Sequence, residues 1–178
     1  VFQERGVWQV GVGKDTDPEP GVVFATLAEA IQAWNTQIES AEPKSVGVIS
    51  ILDNRSYRED LSGALPIRIP EGARLLLVAA GWPEVQVEGG LPGETERRPG
   101  SFEPRNLRPH LLGDLGVEGT APPDSEAPGE FVMDGLLAEG RLRVTSGHLG
   151  KLTLRHTTLA PSPSGAQASL VIDAQDSE

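Results

Sequence analysis

Cysteine is absent from this sequence, and its absence excludes several kinds of functional site. Disulfide bonds, thiolate nucleophiles and cysteine-ligated zinc or iron–sulfur centres all need a sulfur atom that the chain does not supply. The three histidines, His110, His148 and His156, are not spaced as metal ligands. We therefore predict no metal site and no cofactor. The compartment stays open, because cysteine-free proteins fold both inside and outside cells.

Aromatic residues and long apolar runs are also scarce. Aromatic residues make up 4% of the sequence, so we expect an aliphatic core of Leu, Val, Ile and Ala. No apolar run approaches the roughly 18 residues that a membrane-spanning helix needs. No basic segment followed by an apolar one opens the chain as a signal peptide would. We predict a soluble protein without a membrane span, of unknown localisation, with a secreted or injected assembly as one possible setting.

Basic residues are outnumbered by acidic ones. The chain has 15 lysines and arginines against 26 aspartates and glutamates, which gives a net charge of −11. Such a field repels the phosphate backbone of nucleic acids. The densest basic stretch (Arg97, Arg98, Arg105 and Arg108) is interrupted by glutamates, as is typical of a solvated loop. We therefore predict that nucleic acid is not a partner.

Glycine and proline are abundant, and they favour many short elements over a few long helices. The chain has 21 glycines and 15 prolines. One helix stands out, because Thr26 and Glu29 have the spacing of a capping box. Apolar residues from Leu27 to Ile38 then fall on one helical face. These signals predict a helix over about 27–39, ending before Pro43 and packing on a β core.

After this helix the apolar period changes to that of strands. We predict strands at 46–52, 65–69, 74–80 and 83–88, and a strand-rich run from Phe131 to Asp173. Long loops are predicted at 89–110 and 120–130, with a shorter one at 161–167. Apolar strands recur after about 20 to 28 residues, which is typical of stacked turns of a parallel coil. A β-sandwich is the alternative, since it also uses short strands.

Three strand ends share one phrase: two apolar residues, an aspartate, and a small or turn-forming residue. The aspartates are Asp53, Asp134 and Asp173. Aspartate closes turns well by accepting hydrogen bonds from the backbone, so the favoured interpretation is that these residues end strands. The competing interpretation is a set of catalytic carboxylates.

The helix at 27–39, the opening strand at 46–52 and the repeated strand phrases near Met133-Asp134-Gly135-Leu136 and Leu152–Leu159 resemble the right-handed parallel β-helix, or pectin-lyase-like, superfamily. The resemblance covers about residues 22–174, after an N-terminal lead at 1–20. It implies an all-β solenoid with one capping helix and long loops, in a single domain over 1–178. We expect this domain to be a segment of a longer protein, because the chain starts at Val1 without a methionine.

The superfamily includes polysaccharide lyases and hydrolases, phage tailspikes and non-enzymatic components of surface or injection machines. The function that the resemblance implies here is a non-catalytic, rigid structural or interaction module of a larger multidomain protein, of a phage-tail-like kind. Other protein domains or subunits of an assembly are then the expected partners, with polysaccharide as a further candidate.

The alternative is a polysaccharide-active lyase or hydrolase. An inverting hydrolase needs two carboxyl groups about 6.5–9.5 Å apart, and Asp134 and Asp173 are the candidates for this pair. Asp53 is expected to lie three or four turns of the coil away, too remote to join them. The polar cluster from Asp53 to Asp60 could hold a sugar or a cation, although it matches no lyase motif residue for residue. Asp53, Tyr57 and Trp82 are the carbohydrate-binding candidates, Trp82 as a stacking platform.

Overall fold

Parallel pairing of short strands dominates the structure. The computed structural model describes residues 7–14, 22–40, 45–63, 65–97, 106–145, 147–161 and 169–173. These contain sixteen strands and one helix, so the fold is all-β apart from that helix. The elements are β1 (Val7–Val12), β2 (Val23–Phe24), α1 (Leu27–Ile38), β3 (Val46–Ile51), β4 (Ser56–Arg58), β5 (Ile67–Ile69), β6 (Arg74–Ala79), β7 (Glu84–Gln86), β8 (Thr95–Arg97), β9 (His110–Leu112), β10 (Leu115–Gly119), β11 (Gly129–Asp134), β12 (Leu137–Glu139), β13 (Leu142–Val144), β14 (Leu149–Arg155), β15 (Thr158–Ala160) and β16 (Leu170–Ile172).

The chain passes repeatedly through three parallel sheets in the same order. The first sheet has the order β14-β11-β6-β3-β1-β2, the second β15-β12-β9-β4 and the third β16-β13-β10-β5. We call one passage through the three sheets a rung. The four rungs are β3–β4–β5, β6–β9–β10, β11–β12–β13 and β14–β15–β16. This stacking is compatible with a β-helix-like solenoid, and its parallel pairing differs from the antiparallel pairing of a β-sandwich.

The core is a set of apolar columns that run through the rungs. In the first sheet Ile49, Leu77, Met133 and Leu154 occupy one register position on successive strands. In the third sheet Val117 pairs with Ile67 on one side and with Val144 on the other. Alternate residues of a strand point to one face, so each apolar-any-apolar strand contributes its apolar positions to the interior. The predicted aliphatic core is formed in this way.

Helix α1 covers the end of the coil at the first rung. Trp34 is fully buried, and its ring lies 5.5 Å from that of Trp8, centroid to centroid. The Trp34 indole N–H donates to the carbonyl of Arg68 at 2.8 Å. Asn35 bonds the backbone beside it, donating to the Pro66 carbonyl at 2.9 Å and accepting from the Arg68 N–H at 3.1 Å. The helix is therefore attached to β5 by polar bonds as well as by apolar packing.

The N-terminus of α1 has two sources of acceptors. Thr26 and Glu29 form the predicted capping box. A second carboxylate comes from the turn after β4: Glu59 accepts from the backbone N–H groups of Leu27 at 3.1 Å and Ala28 at 2.7 Å. Free N–H groups and the helix dipole both favour a negative charge at this position. Glu59 thus connects the cap to the coil, a contact that the local sequence pattern did not predict.

The predicted elements agree with the structure in most places. The helix is confirmed, ending at Ile38, and β1 pairs along its whole length with β3, so the first sheet begins before residue 22. The predicted loop at 89–110 is only partly a loop, because β8 pairs with β7 as an antiparallel hairpin. The loop at 120–130 ends earlier than predicted, since β11 begins at Gly129. Most of the predicted loop at 161–167 lies outside the described residues.

Among the described residues, no helix has the length and apolar character needed to cross a membrane.

Candidate functional site

The polar cluster after β3 is organised by Asp53. This carboxylate is buried and closes the turn into β4 by accepting from the backbone N–H of Arg55 at 2.9 Å. The same oxygen accepts from the Tyr57 hydroxyl at 2.9 Å, and the other accepts from the backbone N–H of Lys14 at 2.6 Å. Asp53 thus joins three segments, and its oxygens act here as acceptors for the fold itself, as the turn-closing interpretation predicts.

Tyr57 is held in a protonated state by its surroundings. Its side chain is 1% exposed, and its hydroxyl faces Asp53. Burial, followed by the hydrogen bond to and the charge of Asp53, raises the pKa of Tyr57 far above its ordinary value of 10.0. The Lys14 ammonium lies 4.9 Å above the ring and donates to the Ser56 carbonyl at 2.7 Å. With the ring covered in this way, sugar binding by Asp53 and Tyr57 stays a prediction without an exposed ring face to support it.

The remaining acids of this cluster also have structural partners. Glu59 caps α1, as described above. Asp60 accepts from the backbone N–H of Ser62 at 3.1 Å and from its hydroxyl at 2.7 Å. These two hydrogen bonds to the charged form lower the pKa of Asp60 below its ordinary value. The cluster predicted as a sugar or cation site is therefore occupied by contacts that close turns and cap the helix.

Trp82 packs on the outer surface of the first sheet, beside β1. Its side chain is 3% exposed, so its ring face is not presented to solvent as a stacking platform. A Cβ added to Gly11 would lie 3.0 Å from the Trp82 ring and 2.7 Å from Leu52, so the glycine makes room for this covering. The indole N–H has no hydrogen-bond partner among the described residues. Carbohydrate binding by Trp82 likewise stays a prediction.

Asp134 and Asp173 end strands of different sheets. Asp134 is the last residue of β11, in the first sheet, and its Oδ1 lies 2.9 Å from Nδ1 of His156. Asp173 follows β16, in the third sheet, and accepts from the Arg143 guanidinium at 2.8 and 2.9 Å. Each carboxylate has its own basic partner, and the topology does not align the two as a facing pair. A catalytic role for them stays a prediction.

The spacing of the three aspartates differs from the expectation. Asp53 follows the first strand of the first rung and Asp134 ends the first strand of the third, so they lie two rungs apart, where three or four were predicted. The difference arises because residues 80–109 are inserted within the second rung. The shared phrase is also not a structural repeat. Asp134 pairs with Val78 of β6, which pairs with Ser50 of β3, so Asp134 occupies the register position of Ser50 and not that of Asp53.

No cluster suited to a metal ion occurs in the described part of the chain, where no three His, Asp or Glu side chains are grouped as ligands. A small cleft lies beside the start of α1, lined by residues that include Leu27, Tyr57 and Leu111. Its lining is mostly apolar, and its acids, Glu59 and Asp114, make the cap contact described above and an ion pair with Arg141 at 2.7 Å. Both acids of the cleft therefore have structural partners.

The end of the coil opposite α1 is a further candidate site, which the sequence pattern did not single out. The interior positions of the fourth rung are incompletely covered: Leu170 is 37% exposed and Ile172 is 66% exposed. Their partners one rung below, Leu142 and Val144, are 2% and 7% exposed. We call the fourth rung, β14–β15–β16, the open end. Each of its strands is the last of its sheet in the described structure.

Comparison with protein-family models, with curated proteins and with solved structures finds no match to this chain.

Proposed function

We propose that the chain is a non-catalytic, rigid structural or interaction module of a larger assembly, built on a right-handed parallel β-helix of the pectin-lyase-like kind. The observation that carries this proposal is the difference between the two ends of the coil. One end is covered by α1. At the other end the apolar residues Leu170 and Ile172 are exposed, and no described strand pairs with the outer edges of β14, β15 and β16. Such an end suits attachment to a partner, because exposed apolar surface and unpaired strand edges mark interaction sites.

The use of the polar residues supports the same function. The acids after β3 bond backbone groups of turns and of α1, and Asp134 and Asp173 pair with basic side chains. Stacked rungs with continuous apolar columns make a stiff unit, in which each rung contacts only its neighbours. Loops can then vary without disturbing the stack. A phage-tail-like assembly is the setting that the resemblance implies, and it belongs to the proposal.

The alternative, a polysaccharide-active lyase or hydrolase, is tested by a cleavage screen. The full chain is incubated with neutral and uronic-acid polysaccharides, and new reducing ends and unsaturated products are measured. Asp134→Asn and Asp173→Asn remove the candidate carboxylates, and Asp124→Asn is the matched control in an exposed loop. We expect no cleavage by any of these proteins. Cleavage by the unaltered chain that is lost in Asp134→Asn and retained in Asp124→Asn would overturn the proposal.

Rigidity is tested separately by amide hydrogen exchange. We expect slow exchange in the central strands of the first three rungs, and faster exchange in the β7–β8 hairpin. A chain whose rungs all exchange as fast as the hairpin would not serve as a stiff module.

A further inference from the structure

The segment from Gly140 to Ile172, which contains β13 and the open end, is basic although the chain as a whole is acidic. Between Gly140 and Ile172 the sequence contains four basic residues (Arg141, Arg143, Lys151 and Arg155) and no acidic one. The whole chain has a net charge of −11, so its acids are concentrated elsewhere. Arg141 and Arg143 are neutralised by ion pairs with Asp114 at 2.7 Å and Asp173 at 2.8 Å. Lys151 and Arg155 remain as the free positive charges of the segment within the described structure.

These two residues lie on the outer face of β14, four positions apart and exposed to solvent. One edge of β14 pairs with β11. This pairing places Glu130 opposite Lys151 and Asp134 opposite Arg155. Below Glu130 lies Arg74, and their side chains approach to 3.7 Å. The column therefore alternates in sign from Arg74 to Glu130 to Lys151. An acidic residue on a strand paired with the free edge of β14 would continue this alternation.

The apolar positions between the two charges define the rest of the pattern. Leu152 and Leu154 point to the interior in the columns of Phe131 and Met133, and are only half-buried because no described strand follows. A strand added in parallel to β14 would place apolar side chains over both leucines and acids beside Lys151 and Arg155. Its sequence pattern would be acid-apolar-any-apolar-acid.

We propose that the open end binds an acidic extended strand of another protein, which adds in parallel to the free edge of β14. The proposal rests on the proposed function as an interaction module and names the chemistry of the partner. Strand addition of this kind obtains affinity from main-chain hydrogen bonds and specificity from alternate side chains. A second copy of this chain fits less well. Two open ends would bring Lys151 and Arg155 against the same charges. At the opposite end of the coil, α1 packs on the outermost strands β2 and β5.

The test uses the full chain, labelled with ¹⁵N, and a synthetic peptide with the sequence of residues 129–135, which carries the required pattern. Amide shifts are followed during titration at millimolar peptide, a concentration that detects weak binding. One control peptide replaces the two acids by lysine and arginine. A second has the same composition but places the acids next to each other. We expect shifts that saturate and are concentrated in β14, with affinity on the order of tenfold weaker for either control peptide.

A charge reversal makes the test sharper. In the double variant Lys151→Glu/Arg155→Glu, the preference should invert, so that the lysine–arginine peptide binds better than the acidic one. The matched control, Arg58→Glu/Arg108→Glu, changes the net charge equally at exposed residues away from β14 and should keep the original preference. Far-ultraviolet circular dichroism establishes that each variant is folded before titration.

Four outcomes would overturn the inference. The first is that the peptide with adjacent acids binds as tightly as the peptide of residues 129–135, since binding would then depend on negative charge alone. The second is shifts outside the open end. The third is self-association through β14 that depends on protein concentration, which assigns the edge to a second copy. The fourth is absence of binding by the acidic peptide to the folded chain. The non-catalytic role is tested separately, by the polysaccharide cleavage screen. Failure of the partner assignment is therefore distinguishable from failure of the non-catalytic role.

Discussion

The interior apolar columns end differently at the two ends of the coil. At the first rung, Trp34 and the apolar face of α1 cover the interior columns, and the residues beneath are almost fully buried. At the fourth rung, the equivalent columns finish at Leu170 and Ile172, which retain much of their exposure. A stack of rungs needs an end that stops pairing, and a helix provides one because it has no free strand edge. We therefore expect the capped end to contribute more to stability, and we propose the open end as the interaction surface.

Removal of the largest capping side chain gives the largest expected effect. Trp34→Ala should reduce the free energy of unfolding by about 3–5 kcal/mol, because it leaves a cavity and deprives the Arg68 carbonyl of its donor. Urea denaturation followed by circular dichroism measures this loss. A loss below about 1 kcal/mol would mean that α1 does not contribute to the stability of the coil.

Filling the space beneath the cap should also be costly. A Cβ on Gly47 would collide with the Trp34 ring and with Leu75, so Gly47→Ala should destabilise the fold by about 1–3 kcal/mol. Gly63→Ala is the matched control, because a Cβ there meets nothing within 4 Å. The two variants are compared by urea denaturation at one pH. Equal stability of both would contradict the close packing of Trp34 on β3.

Alkaline pH should weaken the capped end through Tyr57, the only tyrosine. Its pKa is raised in the folded state, so the protonated hydroxyl contributes stability that is complete below its unfolded pKa of about 10. As the pH rises above that value, this stability should fall by about 1.4 kcal/mol per pH unit. Denaturation at a series of pH values measures the slope.

In Tyr57→Phe the tyrosine contribution to this slope should vanish. Other groups titrate in both proteins, so the difference between the two slopes is the decisive quantity. Identical slopes would show that Tyr57 ionises as readily in the folded chain as in the unfolded one.

The hydrogen bonds between Glu59 and the start of α1 are expected to contribute less to the free energy of unfolding. Glu59→Gln removes the negative charge and one of the two acceptor oxygens at the start of α1, so a loss of about 1 kcal/mol is expected. Thermal or urea denaturation of this variant is compared with Glu126→Gln, an exposed glutamate in a loop. Equal losses in both would reduce the effect to a change in net charge.

At the open end a truncation should have the smallest effect. Ile172→Ala should cost less than about 1 kcal/mol, since 66% of the side chain is already exposed. The same urea experiment measures it beside Trp34→Ala. A loss as large as that of the tryptophan variant would mean that the open end is covered in solution.

Local sequence patterns predicted the fold where the determining interactions are local. The capping box and the apolar face of α1 depend on residues three and four apart, so the helix could be predicted closely. The recurrence of apolar strands predicted a parallel stack, because each column needs one apolar residue in every rung. The rung count between Asp53 and Asp134 was predicted wrongly, since length alone does not reveal that residues 80–109 lie between β6 and β9, within one rung.

The candidate site was less predictable, because its contacts join residues distant in sequence. The cap formed by Glu59 and the bond from Lys14 to Asp53 both connect separate segments. The open end arises from the absence of a neighbour among the described strands, and a local pattern contains no sign of that. The charge of this segment, in contrast, is visible in the sequence, because the run from Gly140 to Ile172 has no acidic residue.

The insertion within the second rung has a consequence for how such a chain can be altered. Strand β9 pairs with β4 with Ser56 opposite His110, so the stack continues unchanged although residues 80–109 intervene between β6 and β9. The length of the chain at this corner is therefore independent of the spacing of the rungs. The tip of the β7–β8 hairpin, near Leu91, offers a place where a reporter or a second domain can be carried outside the stack. A chain of this design can gain new parts while its folding unit stays the same.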